Sequence, residues 1–447
     1  MAIIIPEKKI DTFETTEVLV VGGGPAGIGA AVRAARQGKK VMLLEKRGFL
    51  GGNITGSFVE SCNYFMRGTP FKPEGVFDDM EREYDKAFPS DDLRPNSPHR
   101  FHSEHLKVFL DDFIRREGIT LKLHAFVNDV VMKDGLITAV IIQTKKGPQA
   151  VCAKVVIDCT GDADVAFSAG VPFQQGRATD GLCQPGTVSV RLAGADTKRL
   201  LEGGDYLRVL GKRFHDDYRA GLTGLPCKRQ DLPFGRLTKA GIISYVNYAC
   251  AYGLDPTDVD DLTRGETECR SYIMDIYRYM KKNFEGFENT EIAAMAPEIG
   301  FRDSRRIQGE YLLTIDDMES KKQFDDCIAT YVRFYDMLSP DANMDGDGKV
   351  EGKGYKGHIY EHPMDERSFQ VPYRSLLPVN VDNLLVAGRC LSSEHVAQSG
   401  VRAISLCTMT GDAAGFAAAM AVEDNISPKK INVKDLQKGL KAAGFTL

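Results

Sequence analysis

The residues best suited to chemistry lie near the start of the chain. Gly22, Gly24 and Gly27 hold G-x-G-x-x-G spacing directly after the apolar run Val18–Val21. In that pattern the first glycine permits a tight turn. The second lets a pyrophosphate touch backbone, and the third lets a helix pack on the preceding strand. Pro25 and Ala26 open an Ala-rich stretch that reads as helix to about Gln37, with Gly38 as its stop. A helix starting there turns its partial positive end toward the phosphates. Val41–Leu44 reads as a second buried strand, and Glu45 ends it, where a carboxylate can accept both hydroxyls of a ribose. Strand, fingerprint, helix, strand and acid in this order point to a bound dinucleotide, which a glycine-rich turn alone would not. Gly51 and Gly52 follow directly and allow backbone to approach a flat ligand.

Other reactive residues carry weaker patterns. His99, His102 and His105 recur every third residue, and no acid or cysteine completes a ligand set, so they read as surface or helix-start histidines and no metal site is expected. Ser103 reads as the cap of the helix that carries Leu106, Phe109, Leu110 and Phe113. Asp341, Asn343, Asp345 and Gly346 resemble the start of a calcium loop, but the twelfth position is Gly352, so a solvated acidic loop is the better reading. Arg302 and Arg305 could clamp a carboxylate, though an ion-paired turn that ties two domains together is the reading favoured over the clamp. The ten cysteines include no C-x-x-C pair, which argues for reduced thiols in a cytoplasmic protein and against an iron–sulfur site. Net charge is −5, with no basic excess for nucleic acid. No apolar run approaches the roughly 18 residues of a membrane span, and Ala413–Val422 reads as a packed helix.

The segment Glu45-Lys46-Arg47-Gly48-Phe49-Leu50-Gly51-Gly52 resembles the Glu-Lys-x-Gly-x-Leu-Gly-Gly of FAD-dependent oxidoreductases of the glutathione-reductase-like, two-dinucleotide-fold type. Two later segments extend the resemblance. One is the strand ending in Asp158-Cys159-Thr160-Gly161-Asp162. The other is Asp382–Arg402, with Gly388, Arg389, His395 and Gly400. The resemblance implies FAD as cofactor, with Glu45 on the adenosine ribose. Lys46, Gly51, Gly52, Asn53 and Thr55 would run beneath pyrophosphate and ribityl. Phe126 and Val127 would bracket the adenine, and Thr160 and Gly161 would cross close to the fingerprint. Gly388, Arg389, Gly400 and Val401 would contact phosphate, ribityl and flavin edge, with a helix opening near Gly400 behind the flavin.

The elements that must position these residues form an α/β fold. A Rossmann-like FAD-binding domain, a parallel sheet with an antiparallel excursion, is expected from residues 1–60, 101–170 and 376–425. An excursion over the flavin would occupy 61–100, an inserted α+β substrate domain 171–375, and a terminal helix 426–447. The expected chemistry is hydride movement between a small organic substrate and FAD, with reoxidation by another, unidentified acceptor. His395, Arg402, Arg302 and Tyr64 are the pocket candidates, in that order, with His395 as acid or base. A fumarate-reductase-like enoate reductase and an electron-transfer subunit are the rival readings. The choice between monomer and homo-oligomer stays open.

Overall fold

The computed structural model describes residues 9–60, 74–94, 101–202, 204, 206–332, 336–341, 349–350, 353–354 and 368–447. Tyr64, His99 and most of the acidic stretch 341–352 lie outside the described residues. Val18–Val21 and Val41–Leu44 are buried on both sides, as their unbroken apolar runs require. They form the centre of a seven-stranded sheet. Thr120–Lys122, Val41–Leu44, Thr12–Val21 and Gly147–Asp158 lie parallel, and Leu136–Thr144 and Phe126–Lys133 continue antiparallel. Gly147–Asp158 is used twice along one edge. Its first residues pair antiparallel with Leu136–Thr144, and its last three pair parallel with Leu384–Val386. The chain therefore returns after more than two hundred residues to finish the same sheet, which makes the unit discontinuous.

Two helices, Pro25–Arg36 and Ile404–Asp424, lie against each other in the core beside this sheet. Their approach depends on missing side chains. A Cβ on Gly29 would lie 2.2 Å from the Thr408 carbonyl oxygen, and one on Gly415 would lie 2.3 Å from that of Ala30. Arg33 binds Asp412 across the contact in a bidentate pair, with Nη2 donating to Oδ2 at 3.0 Å. The Val76 N–H donates to the same carboxylate at 2.8 Å. Ile404–Asp424 is long and apolar enough by composition to cross a membrane, but 83% of its apolar window is buried inside the protein.

A second core gathers residues 188–301 with Phe58. Its antiparallel sheet has the order Glu291–Met295, Gly186–Ala193, Ile243–Ala251, and the long helix Val259–Asn283 packs on it. Expectation and structure differ at its boundary. Leu313, Cys327–Ala329, Tyr331, Phe369, Val371 and Tyr373 fall within the expected 171–375 insertion, yet they pack in the first core. The strands Cys327–Val332 and Ser368–Pro372 pair with each other, and Tyr331 is hydrogen-bonded to Ser405 at 2.6 Å. Helix Ser103–Arg116 also starts differently. His102 is the cap, its Nδ1 accepting the Glu104 N–H at 3.3 Å. Ser103 turns inward instead, donating its N–H to Glu60 at 2.9 Å and accepting from Arg191 at 2.7 Å. The buried Glu60–Arg191 pair outcompetes the helix end for that serine.

Candidate active site: a cleft with two chambers

The fingerprint glycines divide into packing and lining roles. Gly22 turns the chain at φ +99° beside the Cys159 carbonyl, where a Cβ would lie 2.4 Å from that oxygen. A Cβ on Gly27 would lie 1.7 Å from the Gly22 oxygen, so Gly27 sets how closely helix meets strand. Gly24 caps the helix and Pro25 begins it. A Cβ on Gly52 would come within 3.0 Å of the Gly24 Cα, so the two glycine loops make one floor. The first-turn N–H groups of Pro25–Arg36 have no intrahelical acceptors and stand at this floor.

A chamber of about 990 Å³, counted out to solvent, opens above it. Gly22, Gly24, Pro25, Ala26, Glu45, Lys46, Gly52, Asn53, Val127, Thr160, Gly161, Gly388, Arg389 and Arg402 all line it. Glu45 is buried at its wall, with Oε2 accepting the Gly23 N–H at 2.7 Å and Oε1 accepting that of Arg47 at 2.8 Å. Asp162 accepts from Arg389 Nη2 at 2.6 Å and Ser304 Oγ at 2.7 Å. Burial works against its charge, but Arg389, Lys46 and the Ser304 bond outweigh that and hold it below the usual carboxylate range. Burial, and then the neighbouring Asp162 and Asp158, push Asp164 up to about 6 despite its bond from Arg305 at 2.6 Å.

A second chamber of about 700 Å³ adjoins the first, sharing Asn53, Arg389, Arg402 and Ile404 with it. Thr187, Tyr245, Gly300, Phe301, Arg302 and Asp336 are among its other walls, so it lies between the two cores. Hydrogen bonds tie the 300–302 segment there from both sides. Thr187 and Gly300 exchange backbone bonds at 3.0 and 2.8 Å. Asn53 Nδ2 donates to the Phe301 oxygen at 3.1 Å, and Gln398 Nε2 donates to that of Arg302 at 2.8 Å.

Several expected residues stand elsewhere. His395 lines neither chamber. It is 4% exposed, with Nδ1 3.0 Å from Asp303 Oδ2, and Asp303 also receives Arg306 Nη1 at 2.7 Å. Burial opposes the charge of Asp303, but the His395 contact and Arg306 hold that carboxyl below its ordinary value. The expectation of His395 as a substrate-facing acid or base is therefore corrected to a buried partner of Asp303. Arg305 leaves the clamp too, since it pairs with Asp164 and lies 4.3 Å over the Phe167 ring. Gly27, Gly51, Thr55, Gly400 and Val401 support the walls without lining them. Thr55 Oγ1 donates to the Leu50 oxygen at 2.6 Å, and a Cβ on Gly400 would meet Met318 Cε at 2.6 Å. The helix expected from Gly400 is broken at Arg402 and Ala403, and the long helix starts at Ile404. Thr187, Tyr245 and Asp336 carry no sequence pattern that would have found them. The placement of Arg47, Ile404 and Cys407 on the first chamber follows only from the fold.

The family described as FAD dependent oxidoreductase matches residues 17–440. A flavin-dependent halogenase, armH3, of Armillaria mellea is 33% identical over 120 residues, which is 25% of this chain and 24% of that protein. A thiamine thiazole synthase of Methanococcus aeolicus is 30% identical over 173 residues, covering 36% of this chain and 60% of the synthase. The chain thus spans less than two thirds of the length of either relative. A geranylgeranyl bacteriochlorophyll reductase-like protein from Thermoplasma acidophilum aligns over 96% of this chain and 84% of its own, at 15% identity and a TM-score of 0.47. With its glycine floor, its Rossmann-like sheet and a family match from residue 17 to residue 440, this chain belongs to the FAD dependent oxidoreductases and is an FAD-dependent enzyme.

Proposed function

We propose that the enzyme oxidises a small organic substrate held in the second chamber, giving its hydride to FAD held in the first, and is reoxidised by a separate acceptor. The observation that carries this reading is the junction. Asn53, Arg389, Arg402 and Ile404 belong to both chambers, so a ligand in one abuts a ligand in the other. Bound FAD supplies a two-electron, hydride-accepting centre. The N–H group at Ala26 and the glycine floor suit a pyrophosphate. Glu45 keeps lone pairs for ribose hydroxyls, and Val127 stands where the adenine end would lie. Arg389, fixed on Asp162, lies directly against Gly161. The long helix opens at Ile404 with no side-chain cap, so its N–H groups stand at the junction and favour negative charge there. Arg302 and Arg402 orient the substrate.

The test is a visible spectrum of the purified protein under anaerobic conditions, before and after hydroxy acids, amines, sugars, saturated carboxylates, NADH and NADPH. Bleaching by one organic donor is expected. Bleaching by NADH or NADPH alone, or a colourless protein that takes up no FAD, overturns the reading. Three arginines on the second chamber also favour a second reading, reduction of an enoate, which oxidation of the dye-reduced enzyme by an enoate would reveal.

A further inference from the structure

We infer that the second chamber selects an organic carboxylate and that Arg302 is the residue that binds it; this rests on the reading above that the chamber holds the substrate. Three arginines line that chamber, Arg302, Arg389 and Arg402. Two have carboxylates at hand. Arg389 Nη2 donates to Asp162 at 2.6 Å, and Arg402 lies 3.7 Å from an Asp336 carboxylate oxygen. Arg302 has no carboxylate within 4.0 Å among the described residues. Its Nη1 donates to Thr187 Oγ1 at 3.1 Å and to the Pro185 oxygen at 3.4 Å, both neutral.

The adjacent acid is not available to it. Asp303 is fully buried and turned to Arg306 and His395, so its charge is already engaged. Among the described residues the side-chain hydrogen bonds of Arg302 all leave from Nη1, so its Nε and Nη2 edge stays open for a second partner. A partly buried guanidinium with only neutral acceptors has lost water without gaining a counter-charge, and a planar carboxylate matches its fork. The segment bearing it is pinned at Gly300, Phe301 and the Arg302 carbonyl, so the charge is positioned in advance. Across the chamber Tyr245 sits at φ +53° in a bulged stretch of strand, a costly conformation for a bulky side chain that places its ring on the wall. Tyr245 and Phe301 offer apolar surface for the body of such an anion.

The experiment titrates the FAD-loaded protein with benzoate and with benzamide, following the flavin absorption band. Benzoate is expected to shift the band with saturation, and benzamide to bind at least about tenfold more weakly. Arg302→Gln is expected to weaken benzoate by about tenfold to a hundredfold with benzamide unchanged, and Arg302→Lys to recover part of the loss. Asp336→Asn removes negative charge from the same chamber and is expected to tighten benzoate. Equal affinity for benzoate and benzamide, an unchanged benzoate affinity in Arg302→Gln, or no benzoate-dependent shift overturns the inference. The two readings fail separately. If no organic donor bleaches the flavin while benzoate still binds through Arg302, the dehydrogenase reading falls and the anion site stands. If a neutral donor bleaches it with the same KM in Arg302→Gln, the anion site falls and the dehydrogenase stands.

Discussion

Gly411→Ala should damage the FAD site from outside it. A Cβ at residue 411 would lie 1.9 Å from the Ala26 oxygen, 2.7 Å from its carbonyl carbon and 2.9 Å from its Cα. Ordinary contact begins at 3.4 Å, so the helices must part by about 1.5 Å, and the obstructing atoms are backbone with no rotamer to escape into. Overpacking of this kind costs about 1–3 kcal/mol, offset by roughly 1 kcal/mol of better helix propensity. The net stability loss is therefore modest, about 0–2 kcal/mol. The loss at the site is larger. Ala26 is in the first turn facing the first chamber, and N–H bonds to a phosphate hold only from about 2.7 to 3.2 Å. Losing one charge-assisted bond costs about 1.5–3 kcal/mol, which raises the Kd for FAD by about tenfold to a hundredfold. Gly415→Ala is the control. Its Cβ would lie 2.3 Å from the Ala30 oxygen, one turn farther from the chamber. It should cost similar stability and change FAD affinity by no more than about threefold. Flavin fluorescence quenching on the apoprotein gives the Kd, and urea unfolding of the same samples gives the stability. Equal loss of FAD affinity in both variants, or an unchanged Kd in folded Gly411→Ala, would refute the reasoning.

Two further outcomes follow from the buried charges. Burial, with Asp162 and Asp158 adding to it, lifts Asp164 to about 6, so the folded chain holds that proton more tightly than the unfolded chain does. The resulting stabilisation is present in acid and lost as pH rises through about 6; Asp164→Asn should therefore gain on the wild type by about 1–2 kcal/mol between pH 4 and 7, after allowance for solvent screening. Urea midpoints of the apoproteins at the two pH values check this, and a difference independent of pH would count against it. His395→Asn should cost about 1–3 kcal/mol by disturbing the contact with buried Asp303, while the pH profile of flavin reduction stays in place. Loss of one limb of that profile would return His395 to an acid–base role.

Local spacing made the nucleotide half of the protein legible. Turn, helix start and strand-end acid are all set within residues 18–45, because each depends on neighbours a few positions away. Gly22, Gly24, Pro25, Ala26 and Glu45 reach the first chamber for that reason, and the family resemblance added others, among them Gly161 and Gly388 from two other strand ends of the same sheet. The second core was expected in kind, as an α+β insertion, but its limits were not. The strands Cys327–Val332 and Ser368–Pro372 look like any half-buried strands, and only their contact with Ile404–Asp424 assigns them to the first core.

The amino-acid sequence alone determined the strand, glycine turn, helix start and strand-end acid of a dinucleotide fold, since turn geometry, helix polarity and strand burial are short-range physics. Tertiary structure decided which of the charged residues are spent on one another. His395, Arg305 and Arg302 all have side chains able to hold a ligand. Asp303 takes the first, Asp164 takes the second, and the third is left facing the chamber with neutral partners. Charge compensation depends on distances of 3 to 4 Å between residues far apart in the chain, and no spacing along the sequence encodes them.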